Sequence, residues 1–320
     1  MKSIVVSAHG GPEVLEYTDL PDPQAGPGQV VLRVHAAGVN PVDTYIRAGT
    51  QGYGAPLPYT PGLDAAGVVE AVGSGVTRVR VGDRVYTVGT LTGAYAQRTV
   101  CVERQVHRLP DNVSFAAGAA LGIPYGTAYR ALFQRAQAQP GETVLIHGGS
   151  GGVGVPAIQM ARAHGCTVIA TAGTDRGREL VTAQGAHHVL DHRAEGYLAG
   201  ALAATGGGGV DVVLEMLANV NLAKDLEVLA PRGRVVVIGN RGTVEINPRE
   251  LMRRDADVRG MSLLVAPERD LLSAYAGITA GLESGVLRPV IGRELPLAEA
   301  PAAHRLVMEP GAYGKIVLVC

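Results

Sequence analysis

A chain of 320 residues is too long for one ordinary core, and its 47% apolar and 18% charged content supplies two globular units rather than a disordered protein. Lysine plus arginine (28) nearly equals aspartate plus glutamate (29), so the net charge of -1 gives no pull toward nucleic acid or anionic membranes and favours small-molecule chemistry. The three cysteines, Cys101, Cys166 and Cys320, show no paired short spacing, which excludes a disulfide framework and a cysteine-rich zinc site; with no apolar stretch of signal or membrane-spanning length, a reducing cytoplasmic setting is expected.

The chain opens on a strand-like run at residues 3–6, and further short β-runs follow at 30–34, 66–72, 84–88 and 94–100, broken by glycine and proline. This half reads as β-rich and barrel-like. Near Ala119 the texture changes, and residues 125–137 carry an apolar face suited to a helix. Beyond it, strands are expected at 143–147, 167–171, 188–190, 210–214, 234–238 and 258–264, with connections long enough for crossover helices. Uninterrupted apolar runs at 144–146 and 235–238 suit strands buried on both faces, so a doubly wound parallel sheet is predicted. A helix near 271–284 and a final strand at 314–319 follow, and that strand should find its partners in the first half. The division expected is 1–122 and 266–320 for a discontinuous first domain, with 123–265 inserted as a nucleotide-binding domain.

The segment VLIHGGSGGVG at 144–154 reads strand, turn, helix. Gly149, Gly152 and Gly154 sit near the spacing that permits a tight turn, close approach of backbone to a pyrophosphate and close helix–strand packing. Free amides and the helix dipole then favour a phosphate. The plain alternative is a glycine-rich connection that holds no ligand. About twenty residues on, where an NAD site offers a carboxylate to the ribose, the strand tip is Gly173, followed by Asp175, Arg176 and Arg178. Either arginine can pair with a 2′-phosphate, which favours NADPH over NADH; the alternative is a solvated helix start. The apolar run at 259–265 would be an unprotected sheet edge in a monomer, so a homodimer, or a homotetramer built from it, is expected.

Longer motifs carry a family resemblance. GVNPVDTYIR at 38–47, LPYTPGLDAAGVV at 57–69, GIPYGTAY at 122–129, EMLANVNL at 215–222, GNRGTVEINP at 239–248 and PVIG at 289–292 resemble the zeta-crystallin-like NADPH:quinone oxidoreductases, the zinc-free branch of the medium-chain dehydrogenases/reductases. The likeness spans essentially the whole chain. It implies a β-rich GroES-like catalytic domain, a Rossmann nucleotide domain and NADPH-dependent reduction of quinones without metal. Where zinc-dependent relatives place a cysteine this chain has Asn40, and in place of their histidine–glutamate pair it has Leu63 and Asp64, so no thiolate or imidazole remains for a catalytic metal.

The resemblance further implies cofactor contacts at Tyr45, Ser150, Gly151, Gly152, Val153, Gly173, His192, Asn221, Ile238, Gly239, Asn240, Arg241, Met261, Ser262 and Leu263. A buried, uncharged His192 would extend the hydrogen bonds of Asn221 and Arg241, while the plain role for Asn221 is a helix cap. Tyr45 and Asn40 are the candidates to hydrogen-bond an acceptor carbonyl as it gains charge, with Tyr59 as the substitute. The rival readings are NADPH-dependent reduction of a 2-alkenal or enone double bond, and an RNA-binding or structural crystallin-like role, which the near-neutral charge disfavours.

Overall fold

Apolar periodicity divides this chain into a half of alternating strands and a half of buried parallel ones. The computed structural model describes residues 1–50 and 52–320. They form two units: residues 1–123, 289–309 and 314–320, and residues 124–288 with 310–313. Among the described residues no helix is long and apolar enough to cross a membrane.

The first unit is β-rich and GroES-like. Its seven-stranded sheet runs Ile291–Pro296, Lys315–Val319, Gln29–Val39, Asp64–Val72, Arg84–Thr87, Val106–Arg108, with Arg98–Val102 also paired to Gln29–Val39. Register shifts between Val31 and Leu32 and between Val34 and Ala36 bend the long central strand. It therefore feeds two cores: Val30 and Leu32 pack with Val69, Val85 and Cys101, while Val34, Ala37 and Val39 pack with Ile4, Tyr95 and Leu318. The run expected at 94–100 begins as a strand only at Arg98, because Ala94 and Tyr95 give their amides to the Pro61–Gly62 turn.

Helix Pro41–Ala48 starts with proline at its first turn and stops at Gly49, whose φ of 65° is left-handed. The Asp43 carboxylate accepts the Asn40 amide at 2.8 Å, the returning half of a capping box. That cap fixes where the next turn's Tyr45 stands.

The second unit is a Rossmann-type layer structure. Six parallel strands lie in the order His188–Leu190, Thr167–Thr171, Thr143–Ile146, Val210–Glu215, Leu229–Val237, Asp257–Gly260, so the connections reverse direction between the third and fourth positions. Val144, Leu145, Ile146, Val212, Val213 and Leu214 are all fully buried, as strands covered on both faces must be.

Three expectations need correction here. The last strand stops at Gly260 rather than Leu264: Met261 still donates to Val237 O, but Leu263 then turns into the core and leaves Leu264 and Val265 exposed. The helix expected at 125–137 is α-helical over Gly122–Tyr129 and π-helical over Arg130–Ala136, ending on Gln137 at a φ of 55°. Residues 266–288 belong to the second unit, not to the returning chain. Helix Glu268–Glu283 buries Ala274, Tyr275, Ile278 and Leu282 there, and Asp270 accepts from Arg130 at 2.9 Å.

Candidate cofactor and active site

All six strands of the second unit are parallel, so their carboxyl ends share one edge of the sheet. The residues expected at the cofactor in this unit leave that edge. Ser150, Gly151, Gly152 and Val153 follow Thr143–Ile146, Gly173 follows Thr167–Thr171, and His192 follows His188–Leu190. Asn221 follows Val210–Glu215, Ile238, Gly239, Asn240 and Arg241 follow Leu229–Val237, and Met261, Ser262 and Leu263 follow Asp257–Gly260. The glycine-rich turn and the 216–221 segment flank the reversal point, where open α/β sheets hold their ligands.

Local chemistry shapes the turn. Gly148 and Gly149 donate to Thr171 Oγ1 and O at 3.1 and 2.8 Å, tying the turn to the neighbouring strand. A Cβ on Gly154 would come within 2.6 Å of Gly149 Cα, so only glycine lets helix Gly154–Ala163 start so close to the strand. Ser150 Oγ donates to Ala312 O at 2.7 Å and pins the 310–313 segment against the turn. At Gly173 a side chain would meet His192 Nε2 at 2.5 Å and Arg193 Nε at 2.8 Å, so glycine keeps this strand tip open. Helix Gly154–Ala163 points its positive end at the turn, and the whole surround fits a dinucleotide pyrophosphate.

The two arginines separate. Arg178 donates to Asp191 at 2.7 Å and also pairs with Asp175, so its guanidinium is already matched by carboxylates. Arg176 is exposed and lies over the Tyr313 ring at 3.8 Å from its centroid. His192 is exposed rather than buried, with Nδ1 3.4 Å from Thr171 Oγ1. Asn221 is not a helix cap: helix Ala218–Val228 begins after Leu217, and the Asn221 amide donates to Glu215 Oε1 at 3.2 Å.

Beneath these loops lies a cluster that sequence reading did not single out. His147 Nε2 is 2.8 Å from Asp225 Oδ1 and 3.4 Å from Glu215 Oε2, with all three residues buried. Burial pushes the carboxyls of Glu215 and Asp225 up to about 7 each and holds the His147 imidazole below its usual range. The donor atoms lie within 4.8 Å of one another, a set able to approach one cation. The 2.8 Å separation is instead that of a hydrogen bond, since two donors on one zinc ion, each at ~2.1 Å, stand about 3 Å or more apart. The cluster shares protons and, through the Asn221 side chain and the Leu217 amide, holds the start of helix Ala218–Val228 and the turn before it. The available signal was positional: His147 and Glu215 directly follow the paired residues Ile146 and Leu214.

In the first unit the positions that resemblance linked to zinc form a different device. Asn40 is 3% exposed; its Nδ2 donates to Asp64 Oδ2 at 2.8 Å and its Oδ1 accepts from Lys315 Nζ. Lys315 Nζ also stands 3.6 Å from Asp64, which accepts a further bond from the Ile123 amide at 2.8 Å. A buried ammonium already balances the carboxylate, and a dication has no place in such a set. Asn40 is thus spent on internal bonds and is not the acceptor-facing amide expected from sequence. Tyr45 is half-buried, its ring 6.1 Å from that of Tyr53.

Next to this device runs a directed chain. Guanidinium groups only donate, so Arg47 Nη1 at 3.0 Å makes His304 Nδ1 the acceptor; Nε2 then carries the proton toward Tyr95 OH at 3.2 Å, and Tyr95 donates to Asp43 at 3.3 Å. Burial lowers His304 to about 3, which keeps the ring neutral, and raises Asp43 to about 7.

Comparison with known proteins agrees with this architecture. Residues 26–111 match the alcohol dehydrogenase GroES-like domain, and 152–274 match the zinc-binding dehydrogenase family, although the residues above do not compose a zinc site. The chain is 46% identical to human quinone oxidoreductase, covering all of this chain and 98% of that one. It is 34% identical to the 2-haloacrylate reductase of a Burkholderia species, covering 98% of each. The solved quinone oxidoreductase of Escherichia coli in complex with NADPH is 30% identical, with a TM-score of 0.89 and full coverage of both chains.

Proposed function

Because the chain belongs to the quinone oxidoreductase family of the medium-chain dehydrogenases/reductases, we propose that it reduces quinones with NADPH and without a metal. The carrying observation is the glycine-rich turn packed closely under helix Gly154–Ala163 at the reversal point of the parallel sheet, in a full-length relative of quinone oxidoreductases. NADPH supplies the reducing equivalents when bound, so this chain's residues need only bind, orient and exclude water. Amides of Ser150, Gly151, Gly152 and Val153 receive the pyrophosphate, and Gly173 leaves room for the adenosine ribose. Arg176, backed by Tyr313, meets the 2′-phosphate. Asn221, held by Glu215, and the backbone of Ile238, Gly239, Asn240 and Arg241 line the nicotinamide end, with Met261, Ser262 and Leu263 beyond. Tyr45 offers its phenol to the acceptor carbonyl.

The reading includes a homodimer, or a homotetramer built from it, through the apolar surface of Val258, Leu264 and Val265 beside the terminal strand. A cytoplasmic setting suits three unpaired cysteines. Light scattering at micromolar concentration tests the assembly; a monomer mass refutes it. The activity is tested by following NADPH and NADH oxidation with a para-quinone and, in parallel, a 2-alkenal. Faster turnover of the quinone with NADPH is expected. Preference for the alkenal would move the reading to double-bond reduction, and absence of calorimetric NADPH binding would end it.

A further inference from the structure

Residues Pro310–Tyr313 belong to the second unit although the chain on either side of them belongs to the first. They lie as a strap across two parts of the nucleotide-binding fold. At one end the buried Ser150 of the glycine-rich turn donates its hydroxyl to Ala312 O at 2.7 Å, and a Cβ on Gly151 would lie 3.6 Å from that of Ala312. At the other, a Cβ on Gly311 would lie 3.3 Å from Cγ2 of Thr174, whose hydroxyl caps helix Asp175–Ala183. Held at both places, the strap presents the Tyr313 ring to Arg176, whose Cζ stands over it at 3.8 Å from the centroid.

A guanidinium stacked in this way spends its flat face on the ring, while its five N–H groups lie in its plane and remain free for an anion's oxygens. The ring is neutral, so it takes neither the charge nor a donor from Arg176. Arg178 differs in kind, because the carboxylates of Asp191 and Asp175 already accept from it. Stacking also restricts a long exposed side chain in advance, which lowers the rotamer entropy lost when an anion binds. We infer that Tyr313 is a positioning residue for the 2′-phosphate of NADPH: it holds the Arg176 guanidinium with its donor edge toward that phosphate and so strengthens the preference for NADPH over NADH. The assignment rests on the NADPH reading above and extends it to a residue outside the second unit's main span of sequence.

Fluorescence titration of the full chain with NADPH and with NADH gives the ratio of the two dissociation constants. Leucine keeps apolar bulk but has no ring face, so Tyr313→Leu should lower the preference for NADPH roughly two- to fivefold. The NADH constant should stay unchanged, which checks that the site is intact. Tyr313→Phe keeps the ring and should keep the wild-type ratio. Once Arg176→Ala has removed the guanidinium, Tyr313→Leu should change the ratio no further. An unmoved ratio in Tyr313→Leu, equal weakening of both dinucleotides, a loss in Tyr313→Phe as large as in Tyr313→Leu, or the same loss with and without Arg176 would each overturn the inference. Wild-type chain that binds neither dinucleotide would overturn the NADPH reading together with it, whereas NADPH binding beside an unmoved ratio overturns the role of Tyr313 alone.

Discussion

Replacing Lys315 with methionine removes the one ammonium that bonds Asn40 and faces Asp64. Both Lys315 and Asp64 are buried, at 4% and 0% exposure, so the change strands a carboxylate in the interior rather than clipping a surface pair. Breaking a buried pair in this way costs about 3–5 kcal/mol. Asp64 keeps two bonds at 2.8 Å, from Asn40 Nδ2 and the Ile123 amide, which places the expected loss near the lower end, about 3 kcal/mol at pH 8. Burial already raises the Asp64 carboxyl above its ordinary 3.8, with Lys315 the main opposing influence. Without Lys315 it rises further. A carboxyl raised in the folded state makes stability fall as pH increases from its unfolded value through its folded one, by up to ~1.4 kcal/mol per unit. The deficit of Lys315→Met should therefore grow with pH and shrink below about pH 5. Guanidinium denaturation of both proteins at pH 5, 6, 7 and 8 measures this, and adding Asp64→Asn should recover much of the loss. A deficit under ~1 kcal/mol at pH 8, or one that does not change with pH, would refute the argument that Lys315 is a buried counter-ion.

Three other outcomes are expected. Glu215→Gln keeps an acceptor for Asn221 and the Leu217 amide but removes a titrating group raised to about 7, so stability lost between pH ~5 and 8 should flatten by ~1–2 kcal/mol in a denaturant series. Arg176→Ala should weaken NADPH about tenfold and NADH little, whereas Arg178→Ala, already paired with Asp191 and Asp175, should narrow that selectivity less; parallel fluorescence titrations decide, and equal effects would refute the division of roles. Gly154→Ala forces a methyl to within 2.6 Å of Gly149 Cα, so NADPH affinity should fall ~100-fold by calorimetry, and an unchanged affinity would show that the turn does not hold the pyrophosphate.

Much of this molecule is legible in one dimension because its causes are local. Apolar runs such as 144–146 and 235–238 announce doubly covered strands, the spacing of Gly149, Gly152 and Gly154 announces a phosphate turn, and long motifs announce the family. Strand ends were less legible: residues 258–264 keep β-type apolarity, yet Leu263 is drawn into the core and the ladder stops at Gly260.

The roles of polar side chains were decided by partners far along the chain. Asn40 looked like an acceptor-facing amide until Lys315, 275 residues away, took its carbonyl. Arg178 looked equal to Arg176 until Asp191 claimed it. The His147–Glu215–Asp225 cluster exists only because adjacent strands and one helix converge. Periodicity fixes which way a backbone runs, because it acts over a few residues. What a buried charge or amide is free to do depends on which distant group neutralises it, and only the folded chain brings that group within bonding distance.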